Sequence, residues 1–294
     1  MSGRILITGA TNIVGAEIVR RFAGIGVDVR AARHGTASDE RLRSKYVESV
    51  PFDFTDKELV SEALDGITHV FLLLPLCPEM AEYARIFIDQ AHKSGVSHIV
   101  QVSFLAADKI PMIRIARWHH EAESYLMESG IPFTILRSNI FMQQFTTLFQ
   151  PSGGLIYLPL GKGSVSYVDA RDVALCAAEI LVTSHQHTGR TYRISGPQKF
   201  TLRQAASIMT EVIGSHVMYA DVSEDSSRDI MGSLCMPNWK IDALMELYTL
   251  MKTGLLDEVS PDYQLITGSM QSTFLDFVRD YADLFRGLVG PDEE

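Results

Sequence analysis

The sequence predicts an α/β fold, a doubly wound parallel sheet with a smaller mixed C-terminal lobe. Three observations carry this. Short apolar runs alternate with amphipathic stretches through the first half. The runs are apolar nearly end to end, as expected of strands covered on both faces. After Phe149 the alternation stops and the pattern becomes more helical.

Taken in order, Arg4–Thr8, Asp28–Ala32, Val47–Phe52, His69–Leu74, His98–Val102 and Phe133–Arg137 read as strands. Between them Val14–Ala23, Lys57–Leu64, Glu79–Lys93 and Ala116–Glu128 read as helices with one apolar face. Strand–helix–strand crossovers are right-handed, so helices cover both faces of the sheet. The segment Pro151 to Gly163 is rich in Gly and Pro and reads as loop. A helix is expected from near Arg171, a strand at Thr191–Ser195, and helices at Leu202–Ile213, Trp239–Lys252 and Thr273–Phe285. No low-complexity linker separates the halves. The expected division is residues 1–150 and residues 151–294, packed as one unit.

The chain has 294 residues with a formal net charge of −10, which disfavours phosphate backbones and anionic lipid surfaces. Neither nucleic acid nor membrane is expected as a partner. Cys77, Cys176 and Cys235 are scattered without metal spacing and read as reduced thiols, and no metal site is expected. The longest dense apolar run, Val70 to Cys77, is too short to span a bilayer. Met1 leads straight into a strand pattern, without the charged and apolar regions of a secretory leader. These features point to a soluble cytoplasmic protein; its oligomeric state stays open.

The strongest motif runs from Thr8 through Gly9, Ala10, Thr11, Asn12, Ile13 and Val14 to Gly15. It follows the first strand and opens the first helix. A dinucleotide needs a tight turn there, so that backbone N–H groups and the helix N-terminus face its pyrophosphate. Gly9 supplies the turn, and Gly15 permits close helix packing. Asn12 stands where a middle glycine is usual, and it is expected to take a left-handed backbone. With this loop, residues 1–150 read as a Rossmann-type nucleotide domain, beside the smaller mixed lobe of residues 151–294. Arg33 ends the second strand where an NAD site would place a carboxylate, so a ribose 2′-phosphate and NADP(H) are favoured. Asp53, with Phe54 beside it, is placed to accept from the adenine amino group, or alternatively to start a turn before Thr55. Leu74 and Pro75 end the fourth strand, where the backbone would pass the ribose.

The chain resembles the NmrA-like branch of the atypical short-chain dehydrogenases. The resemblance rests on "ILITGATNIVG", "VRAAR", "FDFTDKELVSEALDGITHVFLLLP", "HHEAESYLMESGIPFTILRSNIFMQQF", "GKGSVSYVDARDVALCAAEIL" and "YRISGPQKFTLRQAA", with "MPNWKIDALMELYTLMKTG" similar to the reductase members. That branch includes NADPH-dependent quinone and triphenylmethane-dye reductases and a redox-sensing transcriptional regulator. The resemblance implies NADP(H) in the first domain, a substrate-binding role for the lobe of residues 151–294, and contacts to the nicotinamide half from Ser103, His119 and Asn139. The sequence departs from the family at Asn12, and at "LRSN", where an arginine–proline pair is common.

A typical short-chain dehydrogenase donates its proton from a Tyr-x-x-x-Lys pair. Here Tyr125 is followed at position 129 by Ser, so that relay is missing. Hydride transfer itself needs no protein acid. His119 is the candidate polar helper, as a proton donor or as a ligand of the nicotinamide amide. Glu123, one helical turn on, is placed to orient its ring, and His120 points elsewhere. The alternative is that both histidines are surface residues. Phe104, Leu105, Phe141, Met142 and Trp239 are candidates for an apolar substrate wall, or else ordinary core. Two functions follow. One is an NADPH-dependent oxidoreductase passing hydride to a flat, apolar small molecule such as a quinone, conjugated carbonyl or imine. The other is a non-catalytic NADP(H)-binding redox sensor acting through a protein partner.

Overall fold

The computed structural model describes residues 4–35, 42–109 and 113–289. The chain opens with β1 (Arg4–Ile7), α1 (Ile13–Gly24), β2 (Val29–Arg33), β3 (Val47–Pro51), α2 (Lys57–Leu64), β4 (Ile67–Leu72), α3 (Met80–Lys93), β5 (His98–Phe104), α4 (Arg114–Glu128) and β6 (Phe133–Ser138). It continues with β7 (Leu155–Leu158), β8 (Ser164–Val165), α5 (Ala170–Val182), β9 (Arg190–Ile194), β10 (Phe200–Thr201), α6 (Leu202–Ile213) and β11 (Met218–Asp221). Five further helices follow: α7 (Glu224–Ser233), α8 (Asn238–Met251), α9 (Asp262–Thr267), α10 (Phe274–Asp280) and α11 (Ala282–Val289).

The main sheet runs β3-β2-β1-β4-β5-β6-β9. The five pairings from β3 to β6 are all parallel. Their strands are buried as the sequence requires: every residue of β5 is buried, and Ile5, Leu6 and Ile7 are fully enclosed. Helix α1 buries Val14, Ile18, Val19 and Phe22, one face of a 3.6-residue repeat, and packs on α5. Asp56 caps α2 by accepting from the N–H groups of Glu58 and Leu59. On leaving β1 the chain turns to β2 on one side, while β4 pairs on the other. This reversal opens a crevice at the carboxyl ends of β1 and β4, the place where such sheets bind ligands.

Contact clustering separates two compact units, and the boundary differs from the single cut at residue 150. The first unit comprises Met1–Ser138, Ala170–Arg193 and Leu265–Gly268; the second comprises Asn139–Asp169, Ile194–Gln264 and Ser269–Glu294. The reason is α5, whose small and aliphatic side chains cover β4, β5 and β6 as well as α1. A crossover helix of the sheet thus comes late in the chain.

The second unit is built on an aromatic core. Phe145, Tyr167, Phe200 and Phe274 have ring centroids 4.6–5.3 Å from a neighbour. Helix α6 begins with a capping box between Thr201 and Gln204 and packs on α10 and α11. Three features depart from the sequence expectation. The Gly/Pro-rich stretch holds β7, which pairs in parallel with β11. Helix α7 lies in a polar stretch with weak apolar periodicity, where Ser223 supplies the N-cap. The expected helix Thr273–Phe285 is two helices, because Tyr281 leaves helical geometry at φ −105° and ψ 15°.

Candidate active site

The loop between β1 and α1 is anchored before it turns. Thr8 directly follows β1, and its hydroxyl accepts from the Leu73 N–H at 2.8 Å and lies 3.1 Å from the Phe71 carbonyl. This ties the carboxyl ends of β1 and β4 together. Gly9 then takes φ +60°, where a side chain is strained and a Cβ would meet Leu73 at 3.0 Å. Asn12 donates its N–H to the Gly9 carbonyl at 2.8 Å and closes the turn. At Gly15 a Cβ would lie 2.3 Å from the Gly9 carbonyl oxygen, which is backbone and has no room to yield. Gly15 therefore presses α1 against the turn itself, leaving a cradle between glycines.

The left-handed position is Gly9, not Asn12. Asn12 sits at φ −74° and ψ 159°, an extended backbone, and its side chain accepts from the Val14 N–H at 3.3 Å. It is the N-cap of α1, a role for which Asn ranks with Asp and Ser. The expectation of a left-handed Asn12 is corrected: the cap, not the turn, is what needs an amide there. Thr11, Asn12 and Ile13 are exposed at the helix N-terminus, whereas Val14 and Gly15 are buried.

At the end of β2, Arg33 is half-buried. Its Nε donates to Ser49 Oγ at 2.9 Å and its Nη1 to the Gly35 carbonyl, which fixes a cation at the strand end. Asp53 accepts from both the N–H and the hydroxyl of Thr55 at 2.8 and 2.7 Å, so the turn reading holds for its Oδ1. Those two bonds, with His34 near Oδ2, hold its carboxyl below the usual range. Phe54 stacks on Tyr83 at 6.0 Å and meets Phe52 edge-on at 4.8 Å. Leu74 is buried and Pro75 exposed, just beyond β4.

The carboxyl end of β5 carries unsatisfied polar atoms. Ser103 is 1% exposed, and its Oγ has no partner. Gln101, two residues earlier on the same strand face, is fully buried with neither amide atom partnered. On α4, His119 has a buried, unpartnered Nδ1, and its ring centroid lies 6.3 Å from that of Phe104. Burial pushes the His119 imidazole down to about 4, so it is neutral at pH 7. His120 is exposed, as the helix register requires. Glu123 does not orient His119. It is 1% exposed and binds Arg137 through two contacts of 2.6 and 2.9 Å. A carboxylate that deeply buried needs a cation more than it needs a neutral ring. Tyr125 donates its hydroxyl to Asp89 at 2.6 Å, which commits it to the α3–α4 contact.

Asn139 is also corrected. It lies in the second unit and its amide is spent there. Nδ2 donates to the carbonyls of Ser166 and Leu256 and to Ser166 Oγ, and Oδ1 accepts from the Ile140 N–H. Both N–H groups of that side chain are committed, so it has no donor left for a nicotinamide. Among the candidate wall residues, Phe104 and Leu105 are buried in the first unit. Phe141, Met142 and Trp239 belong to the second, where Met142 is 1% exposed and bonded through its N–H to Val168, and Phe141 and Trp239 are half-buried. Thr8 carries a readable signal, a hydroxyl directly before the glycine turn. Gln101 and Asp108 carry none: Gln101 is one polar residue within an apolar strand, and the partners of Asp108 lie far along the chain.

Among the described residues no group of three or more His, Cys, Asp or Glu side chains is arranged to hold a metal ion. Nor is any helix among them long and apolar enough to cross a membrane.

The fold and the glycine cradle define a dinucleotide-binding α/β protein of Rossmann type. The model of the NmrA-like family matches residues 1–281, and the chain belongs to that family. It is 29% identical over 283 residues to an NAD(P)H azoreductase of Xenophilus azovorans, covering 96% of this chain and 99% of that one. It is 31% identical over 290 residues to the (4-alkanoyl-5-oxo-2,5-dihydrofuran-3-yl)methyl phosphate reductase of Streptomyces griseus, covering 96% and 99%. An NADPH-dependent quinone oxidoreductase from Escherichia coli, solved in complex with NADPH, superimposes with a TM-score of 0.83 at 25% identity, covering 94% of this chain and 99% of that one.

Proposed function

We propose that this member of the NmrA-like family, an NADP(H)-dependent oxidoreductase, reduces a flat, apolar acceptor such as a quinone, a conjugated carbonyl or an imine. The observation that carries this reading is the carboxyl end of β5 and its helix α4. Two enclosed polar atoms there, Ser103 Oγ and His119 Nδ1, have no protein partner, and an apolar ring, Phe104, stands beside them. Buried polar groups are ordinarily paired, so an unpaired set beside an apolar ring suits a ligand with a polar edge and a flat body. An azoreductase and a quinone oxidoreductase among its relatives support the reading.

The residues present fit a dinucleotide. The positive-φ turn at Gly9 and the close packing at Gly15 set the head of α1, where Thr11, Asn12, Ile13 and Val14 would receive a pyrophosphate. Arg33 would pair with a 2′-phosphate, Asp53 and Phe54 would border the adenine, and Leu74 and Pro75 would line the ribose. Bound NADPH supplies the hydride. Ser103 would hydrogen-bond the nicotinamide half, while the neutral His119 would orient the acceptor through a hydrogen bond. Phe104 and Leu105 serve as apolar substrate contacts. With Tyr125 bound to Asp89 and His119 neutral, the reduced acceptor takes its proton from water.

The test is NADPH oxidation, followed at its absorbance band, against a panel of quinones and imines. Turnover supports the reading. Tight cofactor binding without turnover on any acceptor supports a redox sensor instead. NADPH should bind more tightly than NADH, and Arg33→Asp should reverse that order; equal affinities in the native protein would remove Arg33 from its role.

A further inference from the structure

A cluster of ions lies beside the His119 helix, and the steps above do not use it. Arg137 on β6 holds Asp108 Oδ2 at 2.5 Å with one guanidinium nitrogen and Glu123 on α4 at 2.6 Å with another. Arg193 on β9 reaches the same Asp108 oxygen at 3.4 Å and donates to the Leu105 carbonyl at 3.0 Å. Leu105 in turn donates its N–H to the Ser138 carbonyl at 2.8 Å. Two cations and two carboxylates balance, so the cluster carries no net charge. Arg137 and Glu123 are buried, while the Asp108 side chain is 38% exposed. Burial works against the Arg137 charge, but Glu123 and then Asp108 outweigh it and raise its pKa above the usual guanidinium value.

The connectivity gives Asp108 its particular place. The Arg137–Glu123 pair ties β6 to α4, one turn beyond His119. The Arg193–Leu105 bond ties β9 to the loop that follows Phe104. Asp108 sits in that loop and joins the two pairs. We infer that Asp108 is a positioning residue for the acceptor: it holds the loop at residues 105–109 against α4, so that the Phe104 ring and the His119 imidazole keep one mutual geometry. This rests on the reading of the β5–α4 edge as the acceptor site. Asp108 touches neither cofactor nor acceptor in that reading and acts through Phe104 and His119.

Asp108→Asn keeps the shape and removes the charge from a partly exposed side chain, so the fold should survive. The expected result is a fall of about tenfold in kcat/KM for a small water-soluble quinone, mostly in kcat, since loosened alignment costs rate before affinity. NADPH affinity and melting temperature should stay near the native values, and Asp108→Glu should recover most of the loss. The second readout is the imidazole C–H signals of His119 by NMR, assigned with His119→Ala, which should shift or broaden in Asp108→Asn. Unchanged kcat/KM together with an unchanged His119 signal overturns the inference. If the native protein reduces no quinone, the acceptor reading fails, and the His119 signal alone then decides whether Asp108 positions that ring. If Asp108→Asn does not fold, Arg193→Gln cuts the same link from the other side and is measured in the same way.

Discussion

Two histidines of the first unit invite comparison, His98 at the amino edge of the sheet and His119 beside its carboxyl edge. Burial pushes both imidazoles down to about 4, with His69 and His187 adding to the effect at His98. Their surroundings differ completely. His98 Nε2 lies 2.9 Å from Thr134 Oγ1, whose hydroxyl donates to the His187 carbonyl at 2.8 Å. Thr134 must therefore accept from His98, which fixes the Nε2–H tautomer. His69, stacked 6.3 Å away, is bonded to Thr68 and Ser184 through its two ring nitrogens. At His119 the buried nitrogen has no partner, and neither does Ser103 Oγ. A displaced pKa thus marks core and candidate site alike. What separates them is whether the polar atoms have already been satisfied by the protein.

If the carboxyl edge is built for a ligand and the amino edge for stability, variants at the two edges should fail differently. The largest effect is expected at Gly15→Ala. Its Cβ would collide at 2.3 Å with the Gly9 carbonyl oxygen and at 2.8 Å with the carbonyl carbon, so the cradle must deform. NADPH affinity should fall by at least about a hundredfold, because a shift of about an ångström in a positioned group has effects of that size. Fluorescence titration with NADPH, alongside a melting curve, measures both consequences. Near-native affinity in a folded Gly15→Ala protein would mean that this turn is not the phosphate site.

The amino edge should fail through pH. His98 has a folded-state pKa of about 4 against an ordinary value of 6.5. The unfolded chain therefore binds the proton first as pH falls. The contribution is complete above pH 6.5 and is lost progressively down to about 4. Between pH 7 and pH 5 linkage puts the loss from this residue at about 2 kcal/mol. Urea unfolding at the two pH values should show a smaller difference for His98→Gln than for the native protein. NADPH affinity at pH 7 should be unaffected. An equal pH dependence in both proteins would take His98 out of the acid response.

The sequence makes one edge far more readable than the other. The glycine turn, Arg33 and the helix that follows are local in sequence, and the turn that Asp53 makes with Thr55 spans two residues. Such features depend on backbone conformation and near neighbours, so residue type suffices. Glu123 pairs with Arg137 on another element, and the Asn139 amide donates to Ser166 and Leu256 far along the chain, so nothing beside either residue announces these partners. Asn12 shows a subtler limit. Both a left-handed turn and an N-cap select asparagine, so residue type cannot separate two backbones that differ by more than a hundred degrees in φ. Strand β7 was hidden for the nonlocal reason: its partner β11 comes from beyond α6, and four residues among glycines and prolines carry little periodicity.

A moderate effect is expected at His119. At pH 7 its imidazole is neutral and has a buried nitrogen to offer, so its replacement by Ala should cost hydrogen-bonding and not a proton source. Steady-state turnover should drop by roughly tenfold, with little slope between pH 6 and 8, and NADPH affinity should hold. A loss on the order of a hundredfold that follows a titration near neutrality would mark a general acid and contradict the neutral ring. His120→Ala is the control, since that side chain is exposed and should be silent.

The smallest effect tests the residue that belongs to both classes. Asn12 stands at the carboxyl edge, yet its side chain is already engaged as the cap of α1, accepting from Val14 at 3.3 Å. Asn12→Ala should cost about 1 kcal/mol of stability, and Asn12→Gly only a few tenths. Neither result says whether a phosphate lies nearby, because both remove the cap without adding charge. Asn12→Asp does. Aspartate caps as well as asparagine, and its charge favours a helix N-terminus, so stability should be unchanged or slightly higher. If the pyrophosphate sits over the same N-terminus, the new carboxylate repels it and NADPH affinity should fall several-fold, more at low salt than at high salt. The two measurements then move in opposite directions, which no purely structural role produces. Unchanged affinity with unchanged stability would place Asn12 with His98, among polar groups that the protein satisfies for itself, and the phosphates would have to lie elsewhere.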